Sequence, residues 1–480
     1  MRSFVLCLAL LGVSSPSVAQ FVLKGQLLSS SPNARLVVNV PYDCWYESGA
    51  SREIRPGRAG RFSVRLPVRK AQVIFLDFGG KRLRLYAEPG KSLAVRINPR
   101  SFPEKTAFSG DLKKENNFRC RFGLASSGAD TLRHPDSLFA QSRKRLDDAR
   151  AVLRRGTFSR AFYRMASADL TWQPLGLLWE KSWEANVWTT GQRPEADRNL
   201  WRKALTDAYE CVNLSDSPAL SSYPYQLAVT YYPRFVQYRA ANREAFAAWA
   251  EQRFGKPFRE LQLEMREKGE TYWEYLVLEE ALTGVARERA LSSLLIHQVT
   301  SGELGYLREL TDRFRRQFPE SIFLPDLDAA LQPFLLRTGE KDIRWLKPAN
   351  SLDSLLAPYR GKVVLIDLWG TWCGACREEF AHQPALKKAL KEKPVVFLYI
   401  ASEHTPNPDR RWRETVRFYE LTGDHVLAGK KLEEEMRQLY KGNLVFPSYL
   451  LVDKNGRIVH LRAARPSEKS TLLSQIGNEL

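Results

Sequence analysis

The sequence predicts a multidomain chain, in which a small all-β domain and a mostly α-helical middle domain precede a C-terminal α/β domain. Three observations carry this. The 480 residues exceed what one ordinary hydrophobic core holds, and chains of this length divide. Period-two alternation is concentrated early in the chain, and helical spacing replaces it later. After Lys347, an apolar strand, a helix and a second apolar strand follow one another. Hydrophobic residues at 44% and charged residues at 26% fit a globular protein and exclude a collagen-like or disordered chain. The expected boundaries are 1–19 for a signal peptide, 20–105 for the β domain, 106–345 for the helical domain and 346–480 for the α/β domain.

The first segment combines a basic Arg2, a short apolar run from Phe4 to Val13, and Ser17-Val18-Ala19 before Gln20. That is the pattern of a cleaved export signal, and the run is too short to span a bilayer. The expectation is an exported protein, soluble in the periplasm or cell envelope after cleavage. The formal net charge of +19 would suggest nucleic-acid binding in a cytosolic protein. Export and the even spread of the basic residues argue against it, so no nucleic-acid partner is expected.

In the β segment, Phe62-Ser63-Val64-Arg65-Leu66 and Leu93-Ala94-Val95-Arg96-Ile97 alternate as half-buried strands do. Gln72 to Asp77 and Leu83 to Tyr86 are further strand candidates, with Gly79-Gly80 and Pro89-Gly90 as turns. In the helical segment, Tyr275, Leu278, Leu282 and Val285 recur at helical spacing. Leu307, Leu310 and Phe314 do the same until Phe318-Pro319 ends the pattern. Trp172, Trp179, Trp183 and Trp188 read as a packed core rather than a stacking groove.

Lys347-Pro348-Ala349-Asn350 reads as a linker. Strand Val363–Trp369, one helix from Cys373 to Leu390, and strand Pro394–Ile400 follow. Helices around 411–421 and 431–440 come next, then strand Ser448–Val452, a turn at Asn455-Gly456, a partner strand and a closing helix.

Of six cysteines, Cys7 would leave with the signal. Cys44, Cys120 and Cys211 are odd in number and are expected mainly as buried packing residues. Cys373 and Cys376 stand at i and i+3 at the start of a helix. Unpaired N–H groups there favour a thiolate, making Cys373 the nucleophile and Cys376 the resolving thiol. Asp367 sits on an otherwise apolar strand, where a carboxylate is costly unless paired or protonated. A raised pKa would let it take the proton of Cys376. Pro447 enters a strand where a cis bond would face the cysteines. A zinc site is disfavoured, because there is no second C-x-x-C and no ligand spacing among the six histidines. No metal and no cofactor are expected. Gly370, where a peroxiredoxin-type site has threonine, disfavours a peroxidase, and no nucleophile elbow supports a hydrolase.

The stretch Asp367-Leu368-Trp369-Gly370-Thr371-Trp372-Cys373-Gly374-Ala375-Cys376-Arg377-Glu378-Glu379-Phe380 resembles the active-site segment of the TlpA/ResA family of exported thiol–disulfide oxidoreductases. Val445-Phe446-Pro447-Ser448-Tyr449 and Val452 to Val459 are similar to that family's cis-proline loop and terminal hairpin. The resemblance covers roughly residues 346–480. It implies a thioredoxin-like fold, reductase activity toward disulfide-bearing proteins, and often a role in cytochrome c maturation. It also implies Cys373 and Cys376 as the redox pair, Pro447 as the substrate-contacting proline, and Glu379 as a glutamate near the site. Trp372, Phe446 and Ser448 are expected to contact substrate beside Pro447, with Tyr449 on the same rim. A membrane electron-donor thiol protein would re-reduce the pair. The Gly-Ala dipeptide departs from the proline-containing pairs common in the family, which leaves reductase against isomerase or oxidase open. The β segment, through Tyr86-Ala87-Glu88-Pro89-Gly90 and Phe108-Ser109-Gly110, resembles the N-terminal domain of large envelope TlpA-like proteins. The alternative reading makes the first two-thirds a module that holds an envelope partner or scaffolds a homodimer.

Overall fold

The computed structural model describes residues 20–28, 35–43, 50–123, 135–184, 187, 194–240, 242–301, 306–336, 341–403 and 408–480. The expected signal peptide, Cys44 and Trp188 lie outside them. Two compact units emerge. One takes in Ala50–Ala208 and Pro218–Ala228 with the first strands, and the other takes in Tyr209–Ser217 and Val229–Leu480. The division falls inside the helical stretch rather than at its ends.

The first unit holds β1 (Phe21–Leu27), β2 (Leu36–Asn39), β3 (Ser51–Ile54), β4 (Arg61–Leu66), β5 (Gln72–Phe78), β6 (Lys81–Ala87), β7 (Ser92–Ile97) and β8 (Ala107–Ser109). They form two sheets, ordered β4-β1-β7-β8 and β3-β2-β5-β6, which share one core. In β4, Phe62, Val64 and Leu66 point inward and Arg61, Ser63 and Arg65 outward, as the alternation predicts. Gly79 and Gly80 both take positive φ in the β5–β6 turn, a conformation that suits glycine. β1 and β8 escape sequence reading because Gly25 interrupts the first and the second is only three residues long.

Helices α1 (Lys113–Arg121), α2 (Pro135–Arg155), α3 (Arg160–Glu184) and α4 (Glu195–Glu210) follow. Arg119 of α1 meets Asp169 of α3 at 2.5 Å, with both side chains buried. Trp172 and Trp179 are core residues, whereas Trp183 is partly exposed. Next come α5 (Tyr223–Arg239), α6 (Arg243–Phe254), α7 (Phe258–Lys268), α8 (Glu270–Ala281), α9 (Gly284–Ser301), α10 (Leu307–Gln317) and α11 (Leu324–Leu336). The apolar spacing through Tyr275, Leu278, Leu282 and Val285 crosses from α8 into α9. Leu282 closes the first helix in an extended conformation, and Gly284 opens the second with φ of 55°. Cys211 corrects the packing expectation: it follows the last residue of α4, free and exposed. Cys120 is free and half-buried.

The C-terminal sheet contains β9 (Ile343–Trp345), β10 (Val363–Trp369), β11 (Val395–Ala401), β12 (Gly423–Leu427), β13 (Ser448–Val452) and β14 (Ile458–His460). Its order is β14-β13-β10-β11-β12-β9, with the last four parallel and β13 and β14 antiparallel. β9 begins before the expected boundary at 346, and β12 falls between two expected helices. Both are too short to announce themselves by periodicity.

β10 is buried on both faces. Val364, Ile366 and Leu368 pack with α12 (Leu352–Leu356) and α16 (Lys430–Leu439). Val363 and Leu365 pack with α14 (Gln383–Leu390) and α17 (Lys469–Asn478) on the other face. The expected single helix 373–390 is two, α13 (Gly374–Phe380) and α14. Pro384 has no N–H to continue the ladder and would strike the carbonyl of Phe380, but it fits the first turn of a new helix. α15 (Pro408–Phe418) lies before β12.

Candidate active site

Strand β10 ends at Trp369 and turns through Gly370 to reach the cysteines. A Cβ at Gly370 would lie 2.7 Å from the Ser402 carbonyl oxygen, so only glycine lets the loop pass that closely. Glu403 ties the turn down. It accepts from the Thr371 N–H at 2.6 Å and from the Thr371 hydroxyl at 2.7 Å. Arg377 donates to the Thr371 carbonyl at 2.5 Å.

Cys373 caps α13, and its sulfur accepts from the Cys376 N–H at 3.1 Å. The two sulfurs form a disulfide. Cys376 is fully enclosed, while Cys373 keeps 6% of its surface open, so an external partner reaches Cys373 first. Trp372 is 41% exposed beside them, and its indole N–H donates to the Ser402 carbonyl at 2.9 Å. Phe446 packs edge-on against Trp372 at 5.2 Å, and the Phe446–Pro447 bond is cis. Trp372 thus meets the loop of Phe446 and Pro447 from far away in sequence.

Ser448 and Tyr449 turn inward. The Ser448 hydroxyl donates to the Val445 carbonyl at 2.5 Å. Tyr449 corrects the expectation of a rim residue. It is 2% exposed, and its register partner across β10–β13 is Asp367. Period two sends it to the core face that holds α14 and α17.

Asp367 occupies that same face and is buried. Burial pushes its carboxyl up to about 8; Tyr449 and Lys387 pull it down, and Glu379 pushes it up. Gln383 approaches it at 3.5 Å. Lys387, four residues further along α14, is driven down to about 7 by its own burial. Its ammonium lies 5.1 Å from the Phe397 and Tyr399 ring centres and donates to the Thr422 carbonyl and hydroxyl. His425, buried and stacked on Tyr399 at 4.6 Å, is pushed down to about 4 by burial. Glu379 lies in the last turn of α13, and its carboxylate accepts from the Ser467 N–H and hydroxyl.

Sequence reasoning missed Lys387, Gln383, Glu403 and Ser467. A signal for the first two was present: Gln383 and Lys387 stand four apart on a helix whose Leu386 and Leu390 face the core. Glu403 and Ser467 carry no local signal, because only the tertiary fold brings them to their partners. Among the described residues, no group of three or more His, Cys, Asp or Glu is placed to hold a metal ion. Nor is any described helix long and apolar enough to cross a membrane.

A central strand delivering a cysteine pair to a helix start, beside a cis-proline loop on the neighbouring antiparallel strand, defines a thioredoxin-superfamily domain. Residues 347–476 match the Redoxin family. The thiol-disulfide oxidoreductase ResA of Bacillus thuringiensis subsp. konkukian is 29% identical over 104 residues, covering 22% of this chain and 56% of the relative. The thioredoxin-like protein YneN of Bacillus subtilis is 25% identical over 126 residues, covering 26% of this chain and 69% of the relative. Among solved structures, the thioredoxin domain of a Bacteroides vulgatus thiol-disulfide oxidoreductase is 24% identical. It covers 26% of this chain and 82% of that one, with a TM-score of 0.23. Through the Redoxin match and these relatives, the C-terminal domain is similar to thioredoxin-like oxidoreductases of the ResA kind. The chain spans about half the length of the ResA relatives it matches.

Proposed function

We propose that this protein is an exported thiol–disulfide oxidoreductase that reduces protein disulfides through Cys373 and Cys376. The observation that carries the reading is the pairing of a partly open cysteine at a helix N-terminus with an enclosed one, reached from a strand that carries a buried carboxyl pushed up to about 8.

In the reduced protein, the Cys373 thiolate attacks a substrate disulfide. One substrate sulfur leaves as a thiolate, and a mixed disulfide forms on Cys373. Cys376 gives up its proton and attacks the Cys373 sulfur, which releases the second substrate thiolate and closes the Cys373–Cys376 bond. Two electrons pass from the protein to the substrate. Asp367 is the candidate acceptor for the Cys376 proton, since a carboxyl with a pKa of about 8 titrates in the same range as a thiol. Trp372, Phe446 and Pro447 offer the apolar surface beside Cys373 on which a peptide would lie. Re-reduction calls for a thiol protein fed from the membrane. The export pattern at 1–19 supports a place in the cell envelope, and the similarity to ResA supports a role in cytochrome c maturation.

The test is the reduction potential of the pair in glutathione or dithiothreitol buffers. A value near thioredoxin's, about −270 mV, supports the reductase. A value near about −120 mV makes the protein an oxidant or isomerase and ends the reductase reading.

A further inference from the structure

The outward face of the sheet β4-β1-β7-β8 forms a shallow concavity of ≈ 530 Å³, far in sequence from the cysteines. Strand register sets its chemistry. Gln26 is the cross-strand partner of Arg61 on one side and of Arg96 on the other. Lys24, two residues along β1 on the same face, stands between Ser63 and Ala94, and Ser109 follows across from Ala94. With strands about 4.8 Å apart, the two arginines leave the backbone about 10 Å from one another, and Lys24 rises about 7 Å along the strand from their row.

Lys24, Arg61 and Arg96 are all exposed, and none of them forms an ion pair among the described residues. The acid that feels Lys24 is Asp111, whose carboxylate is held by the Ser92 N–H at 2.8 Å and the Ser92 hydroxyl at 2.9 Å. Three like charges converging on one concave face repel one another, and an anion laid between them relieves that repulsion.

We propose that this face binds a carboxylate-bearing polysaccharide. The sign of the ligand follows from the three cations. Its polymeric form follows from shape, because the concavity is open and runs across strands instead of closing around a small molecule. A sugar chain suits it better than an acidic peptide for a further reason. Around Gln26 the floor is made of small residues, Ser63, Ala94, Ala107 and Ser109, and the face is open, with no deep socket for a peptide side chain. The Ser63 and Ser109 hydroxyls stand at the two ends of the Lys24 row, and Gln26 lies between the arginines, so sugar hydroxyls would meet polar partners along the face.

The experiment is calorimetric titration of the full chain with polygalacturonate, with dextran as the neutral polymer and poly-glutamate as the acidic peptide. The variant K24A/R61A/R96A is compared with K388A/K391A/K393A, which removes three exposed lysines from the C-terminal domain. The wild type is expected to bind polygalacturonate with an affinity that falls as salt rises, and dextran not at all. The sheet variant is expected to lose about tenfold or more in affinity, and the control less than about twofold. If the sheet variant misfolds by circular dichroism, the single changes Arg61→Gln and Arg96→Gln are read in its place, each with a measurable loss. Equal losses in the sheet and control variants would reduce the effect to bulk charge and overturn the proposal. So would a wild type that does not bind polygalacturonate, or tighter binding of poly-glutamate.

Discussion

The Glu379 carboxylate accepts two hydrogen bonds from Ser467, one from its N–H at 2.9 Å and one from its hydroxyl at 2.8 Å. The helix that carries the cysteine pair is thereby fastened to the turn ahead of α17. Ser467→Ala removes the hydroxyl and leaves the N–H. It should cost about 1.5–3 kcal/mol, the value of one hydrogen bond to a charged group, in urea unfolding of the oxidised protein. Glu379→Ala should cost more, because it strands both donors. If Ser467→Ala unfolds together with the wild type, the hydroxyl bond contributes nothing.

Asp367 sets a slope on stability against pH. Its folded value is about 8, while an unfolded aspartate titrates near 3.9. Between these, the folded state holds a proton that the unfolded state has released. This contribution is therefore complete below the lower value, declines as pH rises toward about 8, and is flat above. Asp367→Asn removes the slope and should stabilise the oxidised protein at neutral pH by about 1–3 kcal/mol, while slowing disulfide reduction. Chemical denaturation across pH 5 to 9 is the measurement, and an unchanged slope in the variant would sink the assignment.

Lys387 is one of the groups that pull the Asp367 carboxyl down. Lys387→Met should move the Asp367 titration above about 8 without touching the cysteines. Carbon-detected NMR of the side-chain carboxyl reads this directly. A downward shift would show that lysine does not act on the carboxyl as its charge requires.

Glu403 holds the turn that presents Cys373 through both donors of Thr371. Glu403→Ala frees that turn, and the rate of insulin-disulfide reduction should drop about tenfold through lost positioning. Glu403→Gln, which keeps one acceptor, should fall between. Wild-type rates in both would mean the turn holds its shape without the clamp.

The buried Arg119–Asp169 pair makes its own forecast. Asp169→Ala takes the carboxylate away from a guanidinium buried in the core and should destabilise the first unit by about 3–5 kcal/mol. Arg119→Met with Asp169→Leu removes both charges and should cost far less in thermal unfolding. Equal losses would point to packing instead of charge.

Much of the C-terminal site could be read from residues in order. Asp367 stood out as the one charge on a strand of apolar neighbours, and its burial follows from that strand's central place in the sheet. Tyr449 shows where linear reading fails. It lies two residues from Pro447, yet strand alternation sends it into the core packed by α14 and α17, away from solvent. The α13–α14 break was written in Pro384, but the apolar spacing around it masked the interruption. Strands of three residues such as β9 have too few positions to show a period, and only their partners reveal them.

Strand β9 also has a practical consequence for dissecting the chain. It covers the outer edge of β12, pairing Ile343, Arg344 and Trp345 with Gly423, Asp424 and His425. A fragment cut at residue 346 would strip that edge and leave a row of backbone donors and acceptors open to any passing strand. It would also lose Arg344, which clasps Asp424, and Trp345, which packs on Trp412 at 4.8 Å. The C-terminal domain thus carries its own guard against sticking to other chains in a piece of sequence that looks like the tail of its predecessor.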